Sequence, residues 1–240
     1  MRLGVAAIFK NEFDYVVEWV AWYLMAGFEK IIVADNFSSD GTTALLEALS
    51  DAGFIDIVYQ PTVSSRAQIK AYARIVESYC STLDVVLFVD ADEFLTHESM
   101  QDGAEYECLS RLFSSDENIG MVGINWRAFG SSGHKKFSNF PVVERFKKCL
   151  SDSIGGVNQH LKSASRLSFV KSVDAHSAIL NRGLCCHSDG SLIRDFISGD
   201  GNLTSAGGSR TKSVSTGPLR VNHYVIKSEE EYINKRKRKK

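Results

Sequence analysis

The sequence predicts an α/β fold: a mostly parallel central sheet flanked by helices. Three observations carry that expectation. Strand-like and helix-like segments alternate through the first 94 residues. The strand-like segments are continuous apolar runs, as in strands buried on both faces. The connections between them are short, as in successive strand–helix–strand units with right-handed crossovers. With 240 residues, 44% hydrophobic and 24% charged, the chain is long enough for a sizeable core and too apolar to be disordered.

Leu3–Phe9 is an apolar run that Lys10 and Glu12 end, with no small-residue cleavage site behind it. It reads as a first strand and not as a secretory leader. Residues 12–26 place Val16, Trp19, Val20, Tyr23 and Leu24 at spacings of three and four, with Gly27 at the C-cap position of the implied helix. Residues 30–35 (KIIVAD) form a second strand, 36–40 a polar turn, and 42–52 a helix through Leu45, Leu46 and Leu49 that Gly53 closes. Residues 54–59 read as a third strand. Ser65-Arg66-Ala67-Gln68 reads as a capping box opening a helix to about Cys80. Residues 84–90 (DVVLFVD) are a fourth strand.

Beyond Phe94 the expectations are a helix over 103–113, strands over 120–126, 162–170 and 219–226, and a loop over 129–139. The Gly/Ser/Thr-rich segment 198–217 is expected to be flexible. Ser228-Glu229-Glu230-Glu231 is a second capping box, starting a helix that carries the basic end.

The chain totals −1, yet its last six residues (KRKRKK, 235–240) are all cationic, which leaves residues 1–234 at −7. An acidic body with a basic end does not suit a nucleic-acid binder, which spreads positive charge over a face. The terminal cluster is either a solvated end or a contact for an anionic membrane surface. No run reaches the ~18 apolar residues of a membrane span. Five cysteines, with no CxxC pair, point to a reducing compartment. The expected location is the cytoplasm, peripheral on the inner face of the cell membrane if the tail binds lipid.

In such a sheet the ligand crevice lies at the carboxyl ends of the strands. Lys10-Asn11-Glu12, residues 36–40 and residues 90–93 all follow strand ends. The strongest motif is VVLFVDADEF (85–94), in which Asp90 and Asp92, two apart on an extended chain, face one way. Clustered carboxylates repel and are costly to desolvate, and a hard cation such as Mg²⁺ or Mn²⁺ relieves both. The alternative is a solvated acidic turn. In VADNFSSDGT (33–42), Asp40 either accepts from a nucleobase N–H or simply caps a helix.

AIFKNE (7–12), ADNFSSDGT (34–42) and FVDADEF (88–94), in this order, resemble the family-2-type glycosyltransferases of GT-A fold. INWRAFGSSGH (124–134) and NHYVIKSEEEY (222–232) bring the resemblance nearer to the family-92 subgroup. The resemblance implies one GT-A domain over 1–235, with a nucleotide-binding half (1–97) and an acceptor half (98–227), and with 228–240 as a basic helix or tail. It implies a metal-dependent, inverting transfer of a hexose from a nucleotide-sugar, typically a UDP-sugar, to a hydroxyl of a glycan or lipid-linked saccharide. Lys10, Asn11, Glu12, Asp35, Asn36, Asp40, Gln68, Asp90 and Lys227 would line the nucleotide. Asp90, Asp92 and His223 would hold Mn²⁺ or Mg²⁺. Glu93, Trp126, Phe129, Gly130 and His134 would shape the donor-sugar and acceptor side.

The acceptor hydroxyl must lose a proton, so a general base is needed. Asp174, His176 and Asp189 are the candidates, and Asp189 is the choice made from the sequence. Cys185-Cys186-His187 is read as core or loop.

A phosphatase of the haloacid-dehalogenase type, with Asp90 as nucleophile, is the chief rival. Its DxD closes the first strand, whereas this one closes the fourth, and no paired-Asp motif follows. A nucleotidyltransferase would need a Gly-rich phosphate loop where FKNE stands. An inactive glycan-associated scaffold would have no need of both aspartates.

Overall fold

The computed structural model describes residues 1–59, 66–152, 156–205 and 207–237. The first half alternates as the pattern demands: β1 (Leu3–Phe9), α1 (Phe13–Met25), β2 (Lys30–Asp35), α2 (Thr42–Asp51), β3 (Asp56–Tyr59), α3 (Ala67–Tyr79) and β4 (Val85–Phe88). β5 (Glu93–His97), α4 (Ala104–Ser115), β6 (Ile119–Ala128) and a one-turn helix α5 (Val142–Arg145) follow. Next come β7 (Leu161–Arg166), β8 (Val170–Val173), β9 (Ala178–Leu180) and β10 (Leu184–His187). β11 (Phe196–Ile197), β12 (Leu203–Thr204), β13 (Arg210–Thr211), β14 (Leu219–His223) and α6 (Glu229–Lys237) complete the chain.

Nine strands form one sheet in the order β3-β2-β1-β4-β7-β6-β14-β5, with β10 also paired to β6. β1, β2, β3 and β4 run parallel to their neighbours among themselves, as do β6 with β14 and with β10. β7 is antiparallel to β4 and β6, and β5 is antiparallel to β14. The expected α/β class and mostly parallel sheet are therefore observed.

The period of two in each strand sorts the core into two layers. Val5, Ala7, Phe9, Ile31, Val33, Val85 and Leu87 pack with Val16, Trp19 and Tyr23 of α1 on one face. Ala6, Ile32, Ala34, Val86 and Phe88 pack with Ala71, Tyr72 and Ile75 of α3 on the other. Burial on both faces explains why these strands are continuously apolar. Leu24, assigned to the buried stripe of α1 from its spacing, is exposed, and Tyr15 takes the extra buried position.

Two segments differ from expectation. The strand expected over 162–170 breaks after Arg166 into a single 3-10 turn before β8 begins. Segment 198–217 is not uniformly irregular: β12 and β13 flank β11 in a small antiparallel sheet. Ser65 of the first capping box lies outside the described residues. The Gln68 side-chain amide donates to Asp90 Oδ1 (2.6 Å). The second capping box forms: Glu231 N–H donates to Ser228 Oγ (3.3 Å), and Ser228 N–H to Glu231 Oε2 (3.1 Å). Among the described residues no helix is long and apolar enough to cross a membrane.

Candidate active site

The loops after β1 and β2 are tied together, as expected from their shared edge. Asn11, at φ +56°, donates its backbone N–H to Ser38 Oγ (3.0 Å) and accepts Ser39 N–H on Oδ1 (2.7 Å). Glu12 N–H donates to Thr42 Oγ1 (2.9 Å), and Asn36 N–H to the Phe9 carbonyl (2.9 Å). Asp35 is buried and accepts hydroxyls from Ser38 (2.6 Å) and Thr43 (2.8 Å). Asp40 accepts the Thr42 N–H (3.0 Å) and hydroxyl (2.6 Å) on one oxygen and the Phe13 N–H (3.3 Å) on the other. Burial alone would raise its pKa, but these hydrogen bonds outweigh it and hold the carboxylate below its ordinary range. Asp40, one residue ahead of the N-cap Gly41, thus accepts the first N–H of α2 and fastens the start of α1. In this arrangement its oxygens are engaged by the protein rather than offered to a base. Lys10 is exposed.

The third cluster, residues 89–95, is gripped by aromatic side chains. Trp19 Nε1 donates to the Asp90 carbonyl (3.2 Å), Tyr23 OH to the Glu93 carbonyl (3.2 Å) and Tyr72 OH to the Val89 carbonyl (2.9 Å). Trp22 Nε1 donates to the Leu95 carbonyl (2.7 Å), and Leu95 N–H to Tyr23 OH (3.2 Å).

Two cations then reach the acidic side chains. The first is Lys162 of β7, which is 0% exposed. It lies one residue before Ser163, the cross-strand partner of Phe88. Its ammonium contacts Asp90 Oδ1 (2.9 Å), Glu93 Oε2 (3.4 Å) and the Ala175 carbonyl (2.7 Å). Burial would lower its pKa, yet Asp90 and Glu93 outweigh that and raise it. Glu93 is fully buried, and Oε1 has no partner among the described residues. Burial pushes its pKa up to about 7, helped by Asp90 and opposed by Lys162.

The second cation is Lys235 of α6, whose ammonium is hydrogen-bonded to Asp92 Oδ2. His223 Nε2 stands 3.5 Å from the other oxygen. Sheet register explains this neighbour, since His223 is the cross-strand partner of Glu93. Burial opposes ionisation of Asp92, but His223, Lys235 and Lys227 overcome it and hold the carboxyl well below its usual range. The same pair raises the pKa of His223 against its burial, chiefly through Asp92.

Behind these groups lies a stack of rings. Trp126 packs on His223 (4.1 Å between centroids), on His160 (4.7 Å) and on His176 (5.5 Å). Trp126 Nε1, His160 Nδ1 and His223 Nδ1 are buried and have no hydrogen-bond partner among the described residues. Unpaired buried donors and acceptors are rare in native interiors, and three of them meet in this stack. Burial lowers the pKa of His160 to about 4 and also lowers that of His176, which keeps both rings neutral near pH 7.

The Mn²⁺ or Mg²⁺ expectation does not fit this arrangement. Asp90 is engaged by Lys162 and Gln68, and Asp92 by Lys235 and His223. Among the described residues no three His, Cys, Asp or Glu side chains group to hold an ion. The pairing chosen by the fold is carboxylate with lysine, and Asp90, Asp92 and His223 do not present an open coordination sphere.

The general-base choice is also corrected. Asp189 lies in an exposed turn, where it accepts Ser191 N–H (2.9 Å), the Ser191 hydroxyl (2.6 Å) and the Ser215 hydroxyl (3.2 Å). Asp174 is exposed and caps its own neighbour, Ala175 (2.7 Å). His176 is the candidate that joins the ring stack.

Of the other sugar-side residues, Trp126 and Glu93 are at the site. Phe129 stacks on Tyr224 (4.6 Å), the ring of exposed His134 stands edge-on to Phe146 (5.5 Å), and Gly130 N–H donates to the Lys148 carbonyl (3.0 Å). These three form a support beside the pocket. The sequence reading missed Lys162 and His160, and took Lys235 for part of a basic end that is either solvated or set against an anionic membrane surface.

A cavity of about 500 Å³ opens against this corner, walled by Glu12, Tyr15, Lys136, Lys227 and Lys235 among others. Lys227, at φ +55°, is buried with its ammonium 3.7 Å from the centroid of the Tyr15 ring. Burial lowers its pKa, with Asp92 and Glu12 resisting. A volume of this size suits a nucleotide-sized ligand.

Residues 4–182 match the family model of glycosyltransferase family 92. The chain belongs to glycosyltransferase family 92. A family-92 protein of Ricinus communis is 27% identical over 138 residues, which is 56% of this chain. The chain spans about a quarter of that relative's length (24%). Among solved structures, S. aureus TarS residues 1–349 aligns at TM-score 0.48 and 13% identity, over 70% of this chain and 48% of that one. The same protein in complex with UDP-GlcNAc aligns at TM-score 0.45 and 16% identity, over 57% and 37% of the two chains. GalNAc-T7 with UDP, GalNAc and Mn²⁺ aligns at 0.40 and 15%, over 54% and 23%. The family-92 chain has a mixed α/β architecture around a mostly parallel sheet.

Proposed function

We propose that this family-92 chain transfers a hexose from a nucleotide-sugar, a UDP-sugar in the first instance, to a hydroxyl of a glycan or lipid-linked saccharide. The observation that carries the reading is the juxtaposition at one corner of the cavity. Lys227, Lys235 and His223 gather at Asp92, beside a Trp–His wall with unpartnered ring nitrogens.

In the reaction the acceptor oxygen bonds to the anomeric carbon as the bond from that carbon to the diphosphate oxygen breaks. The electron pair and growing negative charge go to the diphosphate, where fixed cations stabilise the transition state more than the ground state. The hydroxyl proton goes to a base on the opposite side of the sugar, which gives inversion. We place that base at His176. Its Nδ1–H donates to the Leu161 carbonyl (3.3 Å), which leaves Nε2 as the basic nitrogen.

The direct test is a panel of nucleotide-sugars assayed for slow hydrolysis and for transfer to saccharide acceptors. Release of UDP from one donor, with transfer to a hydroxyl and inversion seen by NMR, is expected. Hydrolysis of phosphate monoesters, abolished by Asp90→Asn, with no turnover of any nucleotide-sugar, contradicts the proposal.

A further inference from the structure

We propose that Lys235, held on Asp92 by the C-terminal helix, is the cation that meets the donor's diphosphate, taking the place of a divalent metal ion. The proposal rests on the nucleotide-sugar reading above and deepens it.

Lys235 is not delivered by a loose tail. It lies four residues after Glu231, on the same face of α6. Glu231 is locked by a two-pronged pair with Arg145 (2.8 and 3.1 Å) and by the Tyr15 hydroxyl (2.7 Å), and the capping box with Ser228 fixes the helix start. The rotation of α6 is thereby set, and Lys235 points into the site.

The layering is the decisive feature. The Asp92 side chain is 7% exposed and that of Lys235 is 31% exposed. Lys235 lines the cavity and Asp92 does not. The cavity wall carries Lys136, Lys227 and Lys235 together with the carboxylates of Glu12, Asp14, Glu230 and Glu231, and a phosphate that reaches the Asp92 corner meets the Lys235 ammonium first, with the Asp92 carboxylate behind it. An ammonium has three N–H donors, so one directed at Asp92 leaves two for phosphate oxygens. Lys227 supplies a second cation on the same wall. For a metal ion to use Asp92 it would have to expel Lys235 from a contact that the helix enforces. It would then have to recruit ligands that the described residues do not group together. In this scheme Asp92 is a positioning residue: it aims Lys235 and sets its charge.

The test is UDP affinity by isothermal titration calorimetry, in EDTA and in Mn²⁺, for the unmodified chain, Lys235→Met and Lys235→Arg, with melting curves to verify folding. The unmodified chain is expected to bind UDP equally in the two buffers, to within about twofold. Lys235→Met should weaken binding about tenfold or more in both, the scale of one charge-assisted hydrogen bond. Lys235→Arg should recover most of the loss. UDP binding that appears only with Mn²⁺, or that tightens in Mn²⁺ when Lys235 is removed, overturns the proposal but leaves the nucleotide-sugar reading standing. If the folded, unmodified chain binds neither UDP nor any other nucleoside diphosphate in either buffer, the nucleotide-sugar reading itself is lost.

Discussion

Glu231→Gln tests the anchorage of α6. The Glu231 carboxylate is 8% exposed and accepts four hydrogen bonds, two from Arg145, one from Tyr15 and one from Ser228 N–H. Arg145 is buried with it. Removing one partner of a buried pair strands the other and costs about 3–5 kcal/mol. A second route gives a similar figure. The partners outweigh burial and lower the Glu231 pKa from 4.5 to about 2. At ~1.4 kcal/mol per unit, that is about 3 kcal/mol of stability at neutral pH.

The sign follows from the depressed folded value. The stabilisation is complete above the unfolded pKa near 4.5 and drains away as pH falls toward about 2. Urea unfolding of the two proteins at pH 7 should therefore differ by about 3 kcal/mol, and the gap should close between pH 4.5 and 2, because the variant has no carboxyl there to protonate. A gap below about 1 kcal/mol at pH 7, the scale of an exposed ion pair, would refute the reasoning. So would a gap that does not change with pH.

Lys162→Met leaves buried Glu93 and half-buried Asp90 without their shared cation. It should lower stability by about 3–5 kcal/mol in the same unfolding assay. Asp40→Ala removes the acceptor of the first α2 N–H and should cost about 0.5–1.5 kcal/mol by thermal melting, while UDP affinity by calorimetry stays within about twofold. A large loss of UDP affinity would return Asp40 to the nucleobase. His176→Ala should reduce kcat by about 10²–10⁴ in the transfer assay. Asp189→Ala should leave kcat nearly unchanged, since its carboxylate serves an exposed turn and a surface tie to Ser215.

The first 97 residues were legible because their signals are local. β1 and β2 have the expected bounds, and α1 and α2 begin and end within one residue of expectation. Periodicity of two and of 3.6 is written into neighbouring residues. The acidic corner was legible for the same reason, as an apolar strand ending in carboxylates. Their partners were not. Lys162 sits 72 residues after Asp90, and only the sheet order, with antiparallel β7 laid beside β4, brings them together. A lysine in LKSASR carries no mark of burial. Lys235 was hidden by composition, because a run of basic residues looks solvated. A signal did exist: the capping box at Ser228–Glu231 fixes the phase of α6 and puts Lys235 on the face of Glu231. Asp40 was open between two readings for a local reason: a carboxylate that serves a helix start and one that binds a ligand use the same residue type in the same loop.

Trp19, Tyr23, Trp22 and Tyr72 hold the acidic loop by its carbonyl oxygens. A grip on the main chain is indifferent to what the side chains carry. Positions 90 and 92 are therefore sockets on a fixed frame, where amide, hydroxyl or carboxylate can be exchanged while the loop keeps its path. Such exchanges report on chemistry rather than on shape. Position 93 is different, because the Glu93 carboxylate itself accepts the Asp90 N–H (2.7 Å) and so belongs to the frame.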